Sequence, residues 1–177
     1  MLSLVDDAAV DAIMRGPAGV LAGLRAGATV IDLSTVSPRI SRAIAGEVIA
    51  RGGAMLDTPV SGSTPQAEQG ALNILAGGDE DTYRRREPIL AVLGKQRFYV
   101  GRNGMGLVMK LTINAMLGLG VQALAESIAL GEAAGLEKNR LLDVLGQMSV
   151  VSPAQKAKLE NARSESYPPT FPLQHMD

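Results

Sequence analysis

Within the apolar stretch Gly104–Ala125, GMGLVMKLTINAMLGLGVQALA, one charged residue stands alone: Lys110. Gly106, Lys110 and Asn114 follow at i, i+4 and i+8, which places them along one face of a helix about six turns long. The glycine leaves room for another group to approach the backbone. An ammonium partly withdrawn from water loses part of its preference for the charged form, which suits it to give or take a proton near neutral pH. Asn114 offers both a donor and an acceptor, able to hold a polar substrate or to fix the lysine. The same spacing also fits a lysine whose stem lies on a core helix while its head reaches water, with Asn114 capping a neighbouring loop.

Two other stretches put polar groups where strands end. In Val60–Thr64 a glycine sits between two hydroxyls, Ser61-Gly62-Ser63, a composition able to present backbone N–H groups and side-chain donors to a carboxylate, and equally able to form a plain turn. In Asp32–Pro38, DLSTVSP, helix capping accounts for Ser37, whereas Ser34 and Thr35 are left without a structural task. There is no cysteine and a single histidine, His175, so neither thiolate chemistry nor a zinc site nor a Ser-His triad is expected, and His175 reads as incidental.

The elements that must position these residues alternate. Met1–Leu4 reads as a short strand, Asp6–Gly16 as a helix with acids at its N-terminal end, and Thr29–Ser34 as a β-branched strand. Ser37 and Pro38 cap a helix over 39–51 whose core face is Ile40, Ile44, Val48 and Ile49. A strand at Ala54–Thr58 leads into the loop PVSGSTPQAEQG, and Ala71–Ala76 returns as a strand. Asp79–Leu93 is helical in pattern with Pro88 expected to kink or split it, and Arg97–Val100 makes a last strand. Strands alternating with helices predict a mostly parallel sheet covered on both faces, with ligands beyond the carboxyl ends of its strands. After Gly101 the pattern turns all-helical: a long helix from Gly104 to Ala134, a second at Glu137–Met148 with Leu141, Leu142, Val144, Leu145 and Met148 buried, and a third from Ser152–Pro153 to Ser164. Tyr167–Pro168–Pro169 reads as a rigid extended link.

Of the 177 residues, 46% are hydrophobic, enough for a sizeable core; 17 basic against 18 acidic residues leave a net charge of −1, and no basic cluster is denser than Arg84–Arg86. Nucleic acid and membrane are therefore not expected partners. Lys110, Asn114, Gln122 and four glycines interrupt the one membrane-span candidate, Gly104–Ala125. The N-terminus lacks a signal-peptide pattern, so the expected compartment is cytoplasmic.

Taken in order, DLSTVSP, DTPVSGSTPQAEQGALNILAGG and GMGLVMKLTINAMLG resemble the β-hydroxyacid dehydrogenase family, which includes 3-hydroxyisobutyrate dehydrogenases and glyoxylate/succinic semialdehyde reductases. The ending YPPTFPLQHMD looks most like the latter branch. The resemblance implies an α/β fold: the second half of a Rossmann-like parallel sheet over 1–101, then part of an all-α domain over 102–177. It implies NAD or NADP as cofactor, a small carboxylate-bearing substrate, and a homo-oligomer in the complete protein. By position, Lys110 matches the family's general acid, Ser61, Gly62 and Ser63 the loop that grips the substrate carboxylate, and Asn114 the asparagine that binds substrate beside the lysine. Ser34 and Thr35 match the segment against the nicotinamide ribose, and Leu2 and Ser3 a strand-end segment touching the dinucleotide. Ser63 stands where many members have glycine.

This sequence departs from the pattern at both ends. No GxGxxG glycine turn precedes a helix, and the chain stops one residue short of the family's Lys-Asp pair, so it reads as truncated at both ends. Choosing NAD over NADP rests on a residue in the missing part. A non-catalytic remnant or oligomerisation module of the same fold is the alternative.

Overall fold

The computed structural model describes residues 1–167, so His175 and the Pro168–Asp177 part of the family-like ending lie outside the described residues. It resolves two compact units, Met1–Thr112 and a second from Ile113 onward.

In the first unit, β1 (Thr29–Asp32) pairs in parallel with β2 (Ala54–Asp57), residue for residue from Thr29 opposite Ala54 to Asp32 opposite Asp57. The expected N-terminal strand shrinks to one bridging residue: Leu2 donates its N–H to the Ile31 carbonyl at 2.9 Å and accepts from Leu33 at 2.8 Å. After β2 the chain passes Thr58–Pro59 into β3 (Val60–Ser61), and both β2 and β3 run antiparallel to β4 (Leu72–Gly78). On its other side β4 pairs in parallel with β5 (Gly94–Gly101). Two parallel ladders are thus joined by one antiparallel seam. The seam follows from the short return between β3 and β4, since a parallel connection needs a crossover of a dozen or more residues. That return, read from sequence as loop, contains the short helix α3 (Thr64–Glu68).

Alternation along the strands fills both faces of the sheet. Val30 and Met55 join Val10, Met14, Ile44 and Val48 from α1 (Asp7–Arg15) and α2 (Pro38–Ala50), together with Leu107. Ile31, Leu56 and Ile74 face Leu90 of α4 (Glu80–Leu93) on the other side. The start of α2 is as expected: Pro38 is its first residue and the Ser37 hydroxyl accepts the Ile40 N–H at 3.3 Å. Ile49 departs, being 57% exposed. Nine residues at about 100° each carry it to the side of the helix opposite Ile40. Pro88 does not split α4, because Tyr83 before it and Leu90 after it pack into the same core and hold the axis through the missing hydrogen bond.

The second unit contains most of α5 (Met105–Ala133), then α6 (Lys138–Gln147) and α7 (Pro153–Ser164). Its core is Leu124, Ile128, Leu142, Val151 and Leu159. Leu141 and Leu145 flank it as expected, whereas Val144 and Met148, also expected inside, are 49% and 43% exposed. Ser152 and Gln155 form a reciprocal cap on α7, and the Gln155 amide also donates to the Gly120 carbonyl of α5 at 2.6 Å. By length and composition α5 could cross a membrane, and little of it is buried: Met116, Leu119 and Leu130 are each more than 70% exposed.

Candidate functional site

Lys110 lies one helical turn after Gly106 on α5 and is half-buried, with no hydrogen bond or ion pair among the described residues. Burial alone pulls its pKa below that of an ordinary lysine. A helical side chain leans toward the N-terminus of its helix, so the Lys110 stem lies over the turn containing Gly106. That turn is packed hard on the sheet: a Cβ on Gly106 would overlap the Leu75 carbonyl oxygen and stand 2.7 Å from that of Asp57. Asn114 follows one turn later on the same helix, partly buried, and belongs to the second unit.

Four residues beyond Asp57 the chain reaches Ser61, paired through β3 with Asn73 of β4. Gly62 follows at φ +141°, and a Cβ there would press 2.8 Å from a Leu72 methyl, so both backbone and space call for glycine. Ser63 directs its N–H and its hydroxyl to Oε1 of Gln66, which starts α3 and fixes the loop. Gly62 and Ser63 are exposed and Ser61 is partly so. The loop therefore has a held shape and an open side.

Beside it, at the carboxyl end of β1, the Asp32 carboxyl accepts the Ser34 N–H at 3.0 Å and the Ser34 hydroxyl accepts the Leu4 N–H at 2.9 Å. Ser34 is buried and ties the N-terminal segment to the end of β1, whereas Thr35 and Ser3 are exposed there. Leu2 uses its backbone in pairing with β1. Exposed hydroxyls and backbone thus lie at the carboxyl end of a parallel strand, where open α/β sheets bind ligands. The glycine-rich turn that opens α5, Gly101–Gly106, has its Gly104 N–H and the Leu107 N–H beyond it taken by the Asp57 carboxyl.

Sequence reasoning overlooked the two buried acids that end the neighbouring strands, Asp32 and Asp57, each about 1% exposed. Burial raises the pKa of both, opposed at Asp32 by hydrogen bonds from Ser34 and at Asp57 by the backbone N–H groups of Gly104 and Leu107. Asp32 keeps one oxygen, Oδ2, without a partner among the described residues. Their only signal in the sequence is an acid closing each of two adjacent apolar strands.

The sequence and the fold recur in known proteins. Residues 1–101 match the family model described as the NAD binding domain of 6-phosphogluconate dehydrogenase, and residues 104–177 match the NAD-binding model of NADP-dependent 3-hydroxyisobutyrate dehydrogenase. Glyoxylate/succinic semialdehyde reductase 1 of Arabidopsis thaliana is 38% identical over 97% of this chain and 60% of its own length. A 2-(hydroxymethyl)glutarate dehydrogenase of Eubacterium barkeri is 37% identical over 89% of this chain and 52% of its own. The structure of 3-hydroxyisobutyrate dehydrogenase from Mycobacterium tuberculosis, solved with L-serine, superposes with a TM-score of 0.84 at 28% identity, covering 99% of this chain and 62% of that one. The chain thus spans between half and two thirds of the length of these relatives. Their ordered match across both units, over a sheet that ends in the Ser61–Ser63 loop and a helix bearing Lys110, shows that the chain belongs to the β-hydroxyacid dehydrogenase family, whose cofactor is NAD or NADP.

Proposed function

We propose that this chain carries the proton-transfer and substrate-gripping part of an NAD(P)-dependent oxidoreductase acting on a short 3-hydroxy acid, or on a semialdehyde or 2-oxo acid. The observation that carries the reading is Lys110, an ammonium half-withdrawn from water, without a counter-ion among the described residues, on a helix seated at the carboxyl end of the sheet. The bound nicotinamide supplies hydride in reduction and takes it in oxidation. Lys110 gives its proton to the carbonyl oxygen as that carbon is reduced, and its neutral amine takes the hydroxyl proton in reverse. Ser61, Gly62 and Ser63 hold the substrate carboxylate, Asn114 hydrogen-bonds the substrate beside the lysine, Thr35, backed by the buried Ser34, lines the ribose end of the cofactor, and Leu2 and Ser3 contact the dinucleotide.

The relatives named above act, by their names, on glyoxylate or succinic semialdehyde and on 2-(hydroxymethyl)glutarate, which share a carboxylate with a reducible carbon or its alcohol. We further propose a cytoplasmic homo-oligomer, in which the exposed apolar side of α5 packs against protein, without nucleic acid or membrane as partner. The decisive experiment is Lys110→Ala in an enzyme of the relatives' length that contains residues 1–177 unchanged. A fall in kcat of about 10² or more with dinucleotide affinity kept is expected. An unchanged kcat removes Lys110 from the mechanism.

A further inference from the structure

Asp57 ends β2, and its carboxyl group is sealed inside the first unit. One oxygen accepts the Gly104 N–H at 2.7 Å and the other accepts the Leu107 N–H at 3.1 Å. Both are donors at the start of α5, where backbone N–H groups lack partners of their own and attract negative charge. The seat has no slack. A Cβ on Gly77 would lie 2.7 and 2.8 Å from the two Asp57 oxygens and 2.8 Å from the Gly106 nitrogen.

The other side of Asp57 leads to the substrate loop. Thr58 is fixed by its N–H and its hydroxyl, which donate to the Asp32 carbonyl at 2.6 and 3.0 Å. Pro59 accepts the Leu75 N–H at 3.1 Å, and Ser61 follows on β3. The strand that delivers Ser61–Ser63 and the helix that carries Lys110 are therefore both held by the Asp57 side chain, and Asn103, just before the helix, adds a tie by donating to the Met55 carbonyl of β2 at 2.7 Å. Gly106, inside the pinned turn, precedes Lys110 by four residues on the same helix face.

We propose that Asp57 is a positioning residue for proton transfer: it locks the first turn of α5 to the end of β2 and so sets Lys110 against the Ser61–Ser63 loop. The inference rests on the reading of Lys110 as the general acid. Only a carboxyl group serves both bonds. An asparagine accepts at one oxygen and turns an NH2 group toward the second N–H, leaving two donors face to face.

The test is Asp57→Asn, with Asp57→Ser beside it. In the 177-residue chain, NMR titration of the Lys110 side chain gauges how deeply its ammonium sits, since burial is what depresses its pKa. The midpoint should rise toward that of an ordinary lysine in Asp57→Asn, and hydrogen exchange at Leu107 should quicken by tenfold or more. In an enzyme of the relatives' length, kcat per titrated dinucleotide site should fall tenfold or more, with KM for substrate and cofactor within threefold. A merely structural role would lower the number of sites and leave kcat per site alone. The proposal is overturned by an unmoved or lowered Lys110 midpoint, by kcat per site within threefold of the parent, or by failure of both variants to fold. If instead the parent shows no hydride transfer, or Lys110→Ala keeps full activity, it is the general-acid reading that has failed.

Discussion

Gly106 of α5 lies against Leu75 of β4 so closely that a Cβ on the glycine would overlap the Leu75 carbonyl oxygen. The obstacle is backbone, which cannot swing aside as a side-chain tip can. Gly106→Ala is therefore expected to destabilise the chain by about 1–3 kcal/mol through overpacking. Urea unfolding of the two proteins checks this, and equal midpoints would show that the helix start can lift off the sheet freely.

The lowered pKa of Lys110 sets a pH dependence whose sign follows from its role. A general acid must hold its proton, so kcat in the reducing direction should fall as pH rises through the lowered midpoint, in a limb absent from a slow Lys110→Arg variant. Stability should move the other way. Between the lowered folded value and the ordinary lysine value of about 10.4, the unfolded chain binds the extra proton, so this group makes folding more favourable as pH rises across that window. Rate and thermal-stability profiles on one pH series read both, and rate limbs that coincide in parent and Lys110→Arg would separate Lys110 from the titrating group.

Ser37 does two things at once: its hydroxyl accepts the Ile40 N–H at the head of α2 and donates to Oδ2 of Asp7 on α1 at 2.6 Å. Ser37→Ala should cost about 1 kcal/mol of stability, as losing a helix cap usually does. It should leave dinucleotide affinity intact in the longer enzyme. A loss of affinity at unchanged stability would instead make Ser37 part of the ligand site.

Met116 and Leu119 stand on the exposed side of α5 at 76% and 71% exposure. Large apolar surface of this kind drives association. Sedimentation of the chain should show concentration-dependent self-association, shifted toward monomer in the double variant Met116→Glu, Leu119→Glu. A monomer at all concentrations for the parent would count against the homo-oligomer.

Much of this was readable from residue types alone. Ser37–Pro38 announces the start of α2, and the spacing of Gly106, Lys110 and Asn114 puts them on one helix face because α5 is unbroken from Met105 to Ala133. What escaped was of three kinds. Strand direction is not written in an alternation pattern, so the antiparallel seam at β4 came from chain geometry rather than from composition. Asp57 escaped because its partner Gly104 is 47 residues away, and an acid followed by Thr-Pro reads locally as a turn. Val144 and Met148 show a third limit: helical period locates a face, but the neighbours decide how wide a strip of it is covered.

The family models meet between residues 101 and 104, yet Leu107 is 1% exposed in the core of the first unit. Anyone recombining these proteins at the conventional seam would take the last core residue and both Asp57 donors away with the wrong half. Leu107, both Asp57 donors and Lys110 all lie before Thr112, where the first unit ends, so a chimera that keeps the sheet's packing inherits its lysine from the parent that supplies the sheet.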